Sequence, residues 1–221
     1  MKNTAVAPLA AALLWASTVP LTASAATAPI TISGPGVAAS LTLTYGPTTD
    51  AKYPGAFEVT GISGTFTDAA AGVSNATVLG LVQITINVPE AANLLAPHDF
   101  SRFAVAAGLG PENHGFLSYD NLYWPGGAPQ TASDYPAYGG FVDIYGLMFR
   151  IGGGKVVNFW SNGVFSGPAT GPIYGVAVAT VDQALDYAGG ISAAVPEPAS
   201  AALLLLGLGV TGLAARQRRR G

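Results

Sequence analysis

The chain has 221 residues, half of them hydrophobic and only 10% charged, with a formal net charge of −3 at pH 7. It contains no cysteine, which excludes disulfides, thiol catalysis and cysteine-ligated zinc or iron–sulfur centres. Basic residues gather at the two ends: residues 26–195 keep only Lys52, Arg102, Arg150 and Lys155 against eleven acids, and a surface near −7 repels polyphosphates, which argues against nucleic acid as a partner.

Residues 1–25 read as a signal peptide. Lys2 precedes the apolar run Ala5–Trp15, and Ala23-Ser24-Ala25 supplies a small-residue cleavage site. Cleavage after Ala25 is expected, with Pro20 arguing against a retained anchor. The segment behind it, residues 26–194, is long enough for one domain with a sizeable core.

Within that domain, apolar and polar residues alternate with the period of half-buried strands. Leu41, Leu43 and Tyr45 share one face against Thr42 and Thr44, and Ile84-Thr85-Ile86-Asn87-Val88 repeats the scheme. Between Phe57 and Thr67 the parity changes from Val59 to Ile62, as a bulge at Gly61 would cause. Leu147-Phe149-Ile151, Val156 to Trp160 and Val176 to Val181 read as further strands. Turn signals separate them at Gly34-Pro35-Gly36, Gly46-Pro47, Tyr53-Pro54-Gly55, Pro125-Gly126-Gly127, Gly152-Gly153-Gly154 and Gly167-Pro168. Glu90–Leu95, bounded by Pro89 and Pro97, allows one short helical turn. About eight strands with no repeating unit predict an all-β, single-domain β-sandwich or jelly-roll-like fold, flanked by the signal peptide and a C-terminal transmembrane helix.

Candidate chemistry is sparse. His98 and His114 lie near Asp99, Glu112, Asp120, Ser101 and Ser118, but no G-x-S-x-G or H-E-x-x-H spacing is present. They read as loop residues, no catalytic residue is assigned, and the expectation is a protein that is not an enzyme. Asp120, Asn121, Asp134 and Asp143 carry the hard oxygens that calcium prefers. The Asp-x-Asp-x-Asp-Gly loop is absent, and Asp120-Asn121 reads first as a turn whose side chains satisfy backbone groups, so neither metal nor cofactor is assigned. Aromatic rings are dense from Tyr119 to Tyr145; Tyr119, Asp120, Tyr123 and Trp124 form the candidate ligand contact, since exposed rings stack on sugars. Core packing is the competing account of those rings.

The C-terminal segment, residues 195–221, has three parts in order. Pro196-Glu197-Pro198 breaks the chain, the apolar run 199–215 is just long enough to span a bilayer, and Arg216, Arg218, Arg219 and Arg220 come last. The arginines would hold the C-terminus in the cytoplasm and place the domain outside. This order resembles the tripartite tail of PEP-CTERM proteins of exopolysaccharide-producing Gram-negative bacteria. The resemblance implies that Pro196, Glu197 and Pro198 are the sorting motif of an exosortase, a membrane-embedded processing enzyme, and that the arginines are left behind. It implies an inner-membrane-anchored precursor, then a cell-surface or extracellular product. The stretch Tyr119-Asp120-Asn121-Leu122-Tyr123-Trp124-Pro125-Gly126-Gly127, with Gly146-Leu147-Met148-Phe149 and Val157-Asn158-Phe159-Trp160, resembles a pattern in ectodomains of uncharacterised members, with no activity attached. The resulting expectation is a structural or adhesive protein of the exopolysaccharide layer. A carbohydrate-binding module is the alternative and a secreted hydrolase using His98 or His114 a distant third.

Overall fold

The computed structural model describes residues 24–85, 88–89, 99–105, 115–129, 138–164 and 171–195. The signal peptide up to Ala23, the short helical turn, His98, His114, Asp134, the sorting motif, the apolar run and the tail arginines lie outside the described residues.

Twelve strands are described: β1 (Ala26–Gly34), β2 (Val37–Tyr45), β3 (Phe57–Asp68), β4 (Val73–Leu81), β5 (Val88–Pro89), β6 (Asp99–Ala104), β7 (Phe116–Tyr119), β8 (Leu122–Tyr123), β9 (Leu147–Ile151), β10 (Val156–Gly163), β11 (Ile173–Ala179) and β12 (Ala184–Ala194). Eight of them close on themselves. Around the ring run β1, β2, β3, β4, β9, β10, β11 and β12, every neighbouring pair antiparallel. The expected β-sandwich or jelly roll is therefore replaced by an up-and-down barrel, in which neighbours in the ring are consecutive except where residues 82–146 intervene between β4 and β9. Closure rests on the first and last strands, where Thr31, Ile32 and Ser33 pair with Ala194, Ala193 and Ser192. A sandwich would leave edges there; the ring leaves none.

Alternation explains the inner wall. Ile30, Ile32, Leu41, Leu43, Val59, Phe66, Phe149, Val157, Phe159, Tyr174 and Val178 all point inward and are buried, while Thr27, Thr31, Ser40, Thr42 and Ser63 face outward. The expected bulge is present: Thr44 pairs with Gly61 and Tyr45 with Val59, so Thr60 is the extra residue that resets the parity. Pro29 interrupts no closing bond, because the β1–β12 ladder engages only Thr31 to Ser33. The segment Ile84–Thr85, expected as strand, is not one, and Ile84 is exposed.

An eight-stranded barrel has an interior that side chains can fill, and here they do. Tyr45, Tyr123, Phe141, Tyr174 and Phe159 form a chain of ring contacts at 4.9–6.4 Å between centroids, with Phe159 and Tyr174 stacked at 5.1 Å and 12°. Each such pair adds about 0.5–1.5 kcal/mol beyond its buried area.

The insertion covers part of the outer wall. Strands β5, β6 and β7 form a separate antiparallel sheet, and Phe103, Leu117 and Tyr119 from it pack on Met148, Val156, Trp160, Ala177 and Ala179 of β9, β10 and β11. With both faces covered, β10 and β11 are buried almost throughout, which is why their sequences read as continuous apolar runs. Among the described residues no helix occurs.

Candidate functional site

The residues singled out in the sequence converge where the insertion returns to the barrel. Asn121 takes a left-handed backbone, φ 55°, a conformation asparagine tolerates better than most side chains. Its side chain acts as a splice between strands: Nδ2 donates to Val82 O at 2.9 Å, and Met148 N donates to Oδ1 at 2.9 Å. Its own carbonyl accepts from Val59 N. The expectation that Asp120-Asn121 satisfies backbone groups in a turn thus matches the geometry, for Asp120 Oδ1 also accepts from Leu122 N at 3.1 Å.

Asp143, from the segment ahead of β9, is held in the same way. Tyr145 N and Gly146 N donate to its Oδ1 at 2.9 and 3.1 Å. The two aspartate turns are tied together through Gly146, whose carbonyl accepts from Asp120 N and Asn121 N. Gly146 has φ 67°, and a β-carbon there would overlap the Phe159 carbonyl, so only glycine fits.

These constraints bring two carboxyls together away from solvent. Asp120 is 7% exposed and Asp143 6%, and the Oδ2 atom of each is buried with no N–H or hydroxyl donor among the described residues. Burial pushes the Asp120 carboxyl well above the usual carboxylate range, and the charge of Asp143 pushes it further. Burial raises Asp143 as well, with the amides of Gly146 and Tyr145 and a hydrogen bond from Asp120 pulling the other way. Without a counter-ion the two carboxyls do not both ionise, because burial and their like charges favour a proton held by the pair.

Asp120 also lines a cleft of about 340 Å³, together with Asp50, Lys52, Tyr53, Glu58 and Leu122. The β3–β8 pairing sets Glu58 opposite Leu122 and so brings residues distant in sequence to one wall. Neither Asp50 nor Glu58 stands out in the sequence, since no spacing rule links them to Asp120.

The aromatic set divides among four packing clusters. Tyr119 is buried between insertion and barrel and donates from its hydroxyl to Gln83 O at 2.9 Å. Tyr123 belongs to the barrel interior. Trp124 packs with Ala56, Leu122 and Ala128, and Tyr145 stacks on Phe100 at 4.3 Å. Tyr119, Tyr123 and Trp124 therefore do not form an outward face. Tyr138 and Tyr187 are about half exposed, and Tyr187 lies against Trp160 with ring centroids 5.0 Å apart. Ser101 is fully buried.

Residues 194–220 match the PEP-CTERM protein-sorting motif. No curated protein and no solved structure matches the chain. The motif begins where β12 ends, so the barrel and the sorting signal are contiguous in sequence. The chain carries a PEP-CTERM sorting motif directly behind a closed β-barrel, and that motif marks it as an exported exosortase substrate.

Proposed function

We propose that the mature chain is a non-catalytic structural or adhesive protein of the exopolysaccharide layer, anchored in the inner membrane by its tail until an exosortase releases it to the cell surface. The observation that carries this reading is the filled lumen. Where barrels of this size hold a small ligand, Phe66, Phe141, Phe149, Phe159 and Tyr174 are packed against one another. Such an interior makes a stiff, closed scaffold, and its outer wall of threonine and serine on β1, β2 and β3 presents neutral hydroxyls to a polysaccharide matrix.

Carbohydrate binding is the second reading, favoured by the half-exposed Tyr187 ring beside Trp160. One experiment separates the two. The gene is deleted in the native host and restored as wild type or as Tyr187→Ala, and the matrix is assayed for the protein and for cohesion of the cell layer. A matrix-located protein whose loss weakens cohesion, with Tyr187→Ala fully restoring it, supports the structural role. Restoration by wild type alone, with the variant folded, favours sugar binding. A protein absent from the matrix, with cohesion unchanged by deletion, defeats both.

A further inference from the structure

We propose that Asp120 and Asp143 together hold a divalent cation of the calcium class, admitted through the cleft that Asp120 lines. Their geometry is that of a half-built ligand shell. Backbone amides fix one oxygen of each carboxyl, from Leu122 on one side and from Tyr145 and Gly146 on the other. The second oxygen of each is left buried and without an N–H or hydroxyl donor among the described residues. Both side chains are more than nine-tenths buried. Two such oxygens require a positive centre between them, either one proton or one metal ion, because neither carboxylate can be buried charged and unpaired at acceptable cost.

Three features favour a metal over a proton alone. Asp120 borders a cleft of about 340 Å³ whose lining includes Asp50 and Glu58, with the Oδ2 atoms of Asp120 and Asp143 buried behind it, and an acidic approach raises the local cation concentration. Lys52 is the basic member of that lining, and its charge moderates this field. The donors are all hard oxygens in a chain without cysteine, which selects calcium or magnesium over softer metals. Finally, the turns are locked to one another through the Gly146 carbonyl, so the two carboxylates are prearranged and binding does not have to order them.

Among the described residues no group of three or more carboxylate or imidazole side chains forms a metal cluster. Backbone carbonyls and water from the cleft must complete the shell of six to eight oxygens that calcium takes. Such a site is weak, in the range of about 10⁻⁴–10⁻³ M seen in extracellular modules.

The test uses the full chain purified in detergent micelles, stripped with chelator and then titrated with calcium chloride by calorimetry and thermal melting. The expected result is one ion bound per chain and an upward Tm shift of a few degrees at 10 mM calcium, with Asp120→Asn and Asp143→Asn each binding at least tenfold more weakly. Absence of binding by the wild type at 10 mM calcium or magnesium overturns the proposal and leaves the pair closed by its proton. Wild-type affinity in both folded variants also overturns it, by placing the ion elsewhere. If the variants do not fold, anomalous scattering from terbium soaked into wild-type crystals decides: a peak between the two Oδ2 atoms upholds the site, and none there refutes it.

Discussion

Trp160 on β10 lies directly across the Cα of its cross-strand partner Gly175 on β11, so that a β-carbon at 175 would overlap the indole ring. The ring is thereby laid flat on the outer wall of the barrel, where it packs with Ala177, Met148 and the insertion's Tyr119 and Leu117. Gly175→Ala should force the indole off this surface. Overpacking of this sort costs about 1–3 kcal/mol, visible as a lower urea midpoint with unchanged slope. An unchanged midpoint would mean that the indole tilts away freely and that the layer between insertion and barrel is loosely packed.

Asn121 carries more of the fold than its turn-like sequence suggests. Its amide satisfies Val82 O and Met148 N at the point where β4 gives way to the insertion and β9 resumes the ring. Asn121→Ala leaves both groups buried without that partner, at about 1–3 kcal/mol each, and the new residue must still hold a positive φ. Asn121→Asp keeps the acceptor for Met148 N but sets a buried carboxyl against Val82 O and beside Asp120, so at neutral pH it should be at least as destabilising as alanine, and less so as falling pH protonates it. Equilibrium unfolding at pH 7 should place both variants below wild type, with Asn121→Asp gaining on Asn121→Ala as the pH is lowered; an alanine variant as stable as wild type would remove the splice role.

The strands and the barrel's inner face were legible because alternation is a local signal. Leu41, Leu43, Leu147, Phe149 and Ile151 point inward as their spacing requires, and the Gly61 bulge shows as a change of parity. Closure was not legible. The pairing that turns a sandwich-like strand count into a ring joins Thr31 to Ala194, and no local pattern records a contact across that much chain. The closing strands are also weak ones, for β1 contains Pro29 and β12 contains Gly189-Gly190 with few β-branched residues. The aromatic stretch stayed open between ligand contact and core for a related reason. Alternation places Tyr119 and Tyr123 on a face, but whether that face meets solvent depends on the insertion folding back over the outer wall. The meeting of Asp120 with Asp143 likewise depends on the Gly146 bridge, which spacing alone does not reveal.

Asp68 makes stability depend on pH. It is buried at the end of β3, where Ala71 N donates to it at 3.0 Å, and burial, with Asp186 nearby on β12, raises its carboxyl above the ordinary value while the turn amides pull it down. A folded value above the unfolded one means that folding favours the protonated form. The contribution is therefore complete below about pH 3.9 and is lost as pH rises through the folded value. Asp68→Asn keeps the acceptor for Ala71 N and cannot ionise, so its stability should fall less than that of wild type between pH 4 and 7. Parallel curves for the two proteins in denaturant titrations across that range would show that Asp68 is not the source.

Tyr174 should be the last tyrosine of the barrel to ionise. Burial pushes its hydroxyl up to about 12, although Phe141 N donates to that oxygen at 3.3 Å and partly offsets the effect. Because the folded value lies above the unfolded one near 10, the neutral ring supports the fold below pH 10, and that support is lost as pH climbs toward 12. Absorbance titration at 295 nm should show a late phase that Tyr174→Phe removes. A late phase that persists in the variant would assign it to another buried tyrosine.

The sorting motif makes a prediction that is independent of the barrel. Proline fixes φ and disfavours helix at the residue before it, so Pro196 and Pro198 are expected to favour an extended motif for the processing enzyme. Glu197→Gln retains both prolines and the shape but removes the charge, whereas Pro198→Ala allows the apolar run to extend helix toward the motif. Each should leave a membrane-held precursor that keeps Arg216 to Arg220, read by intact mass of the membrane and released fractions from the native host. Accumulation with both variants shows that charge and backbone are each read by the enzyme. Accumulation with Pro198→Ala alone shows that the enzyme requires an extended approach, with Glu197 contributing little. Release of both variants at the wild-type mass would show that the chain leaves the membrane by cleavage elsewhere.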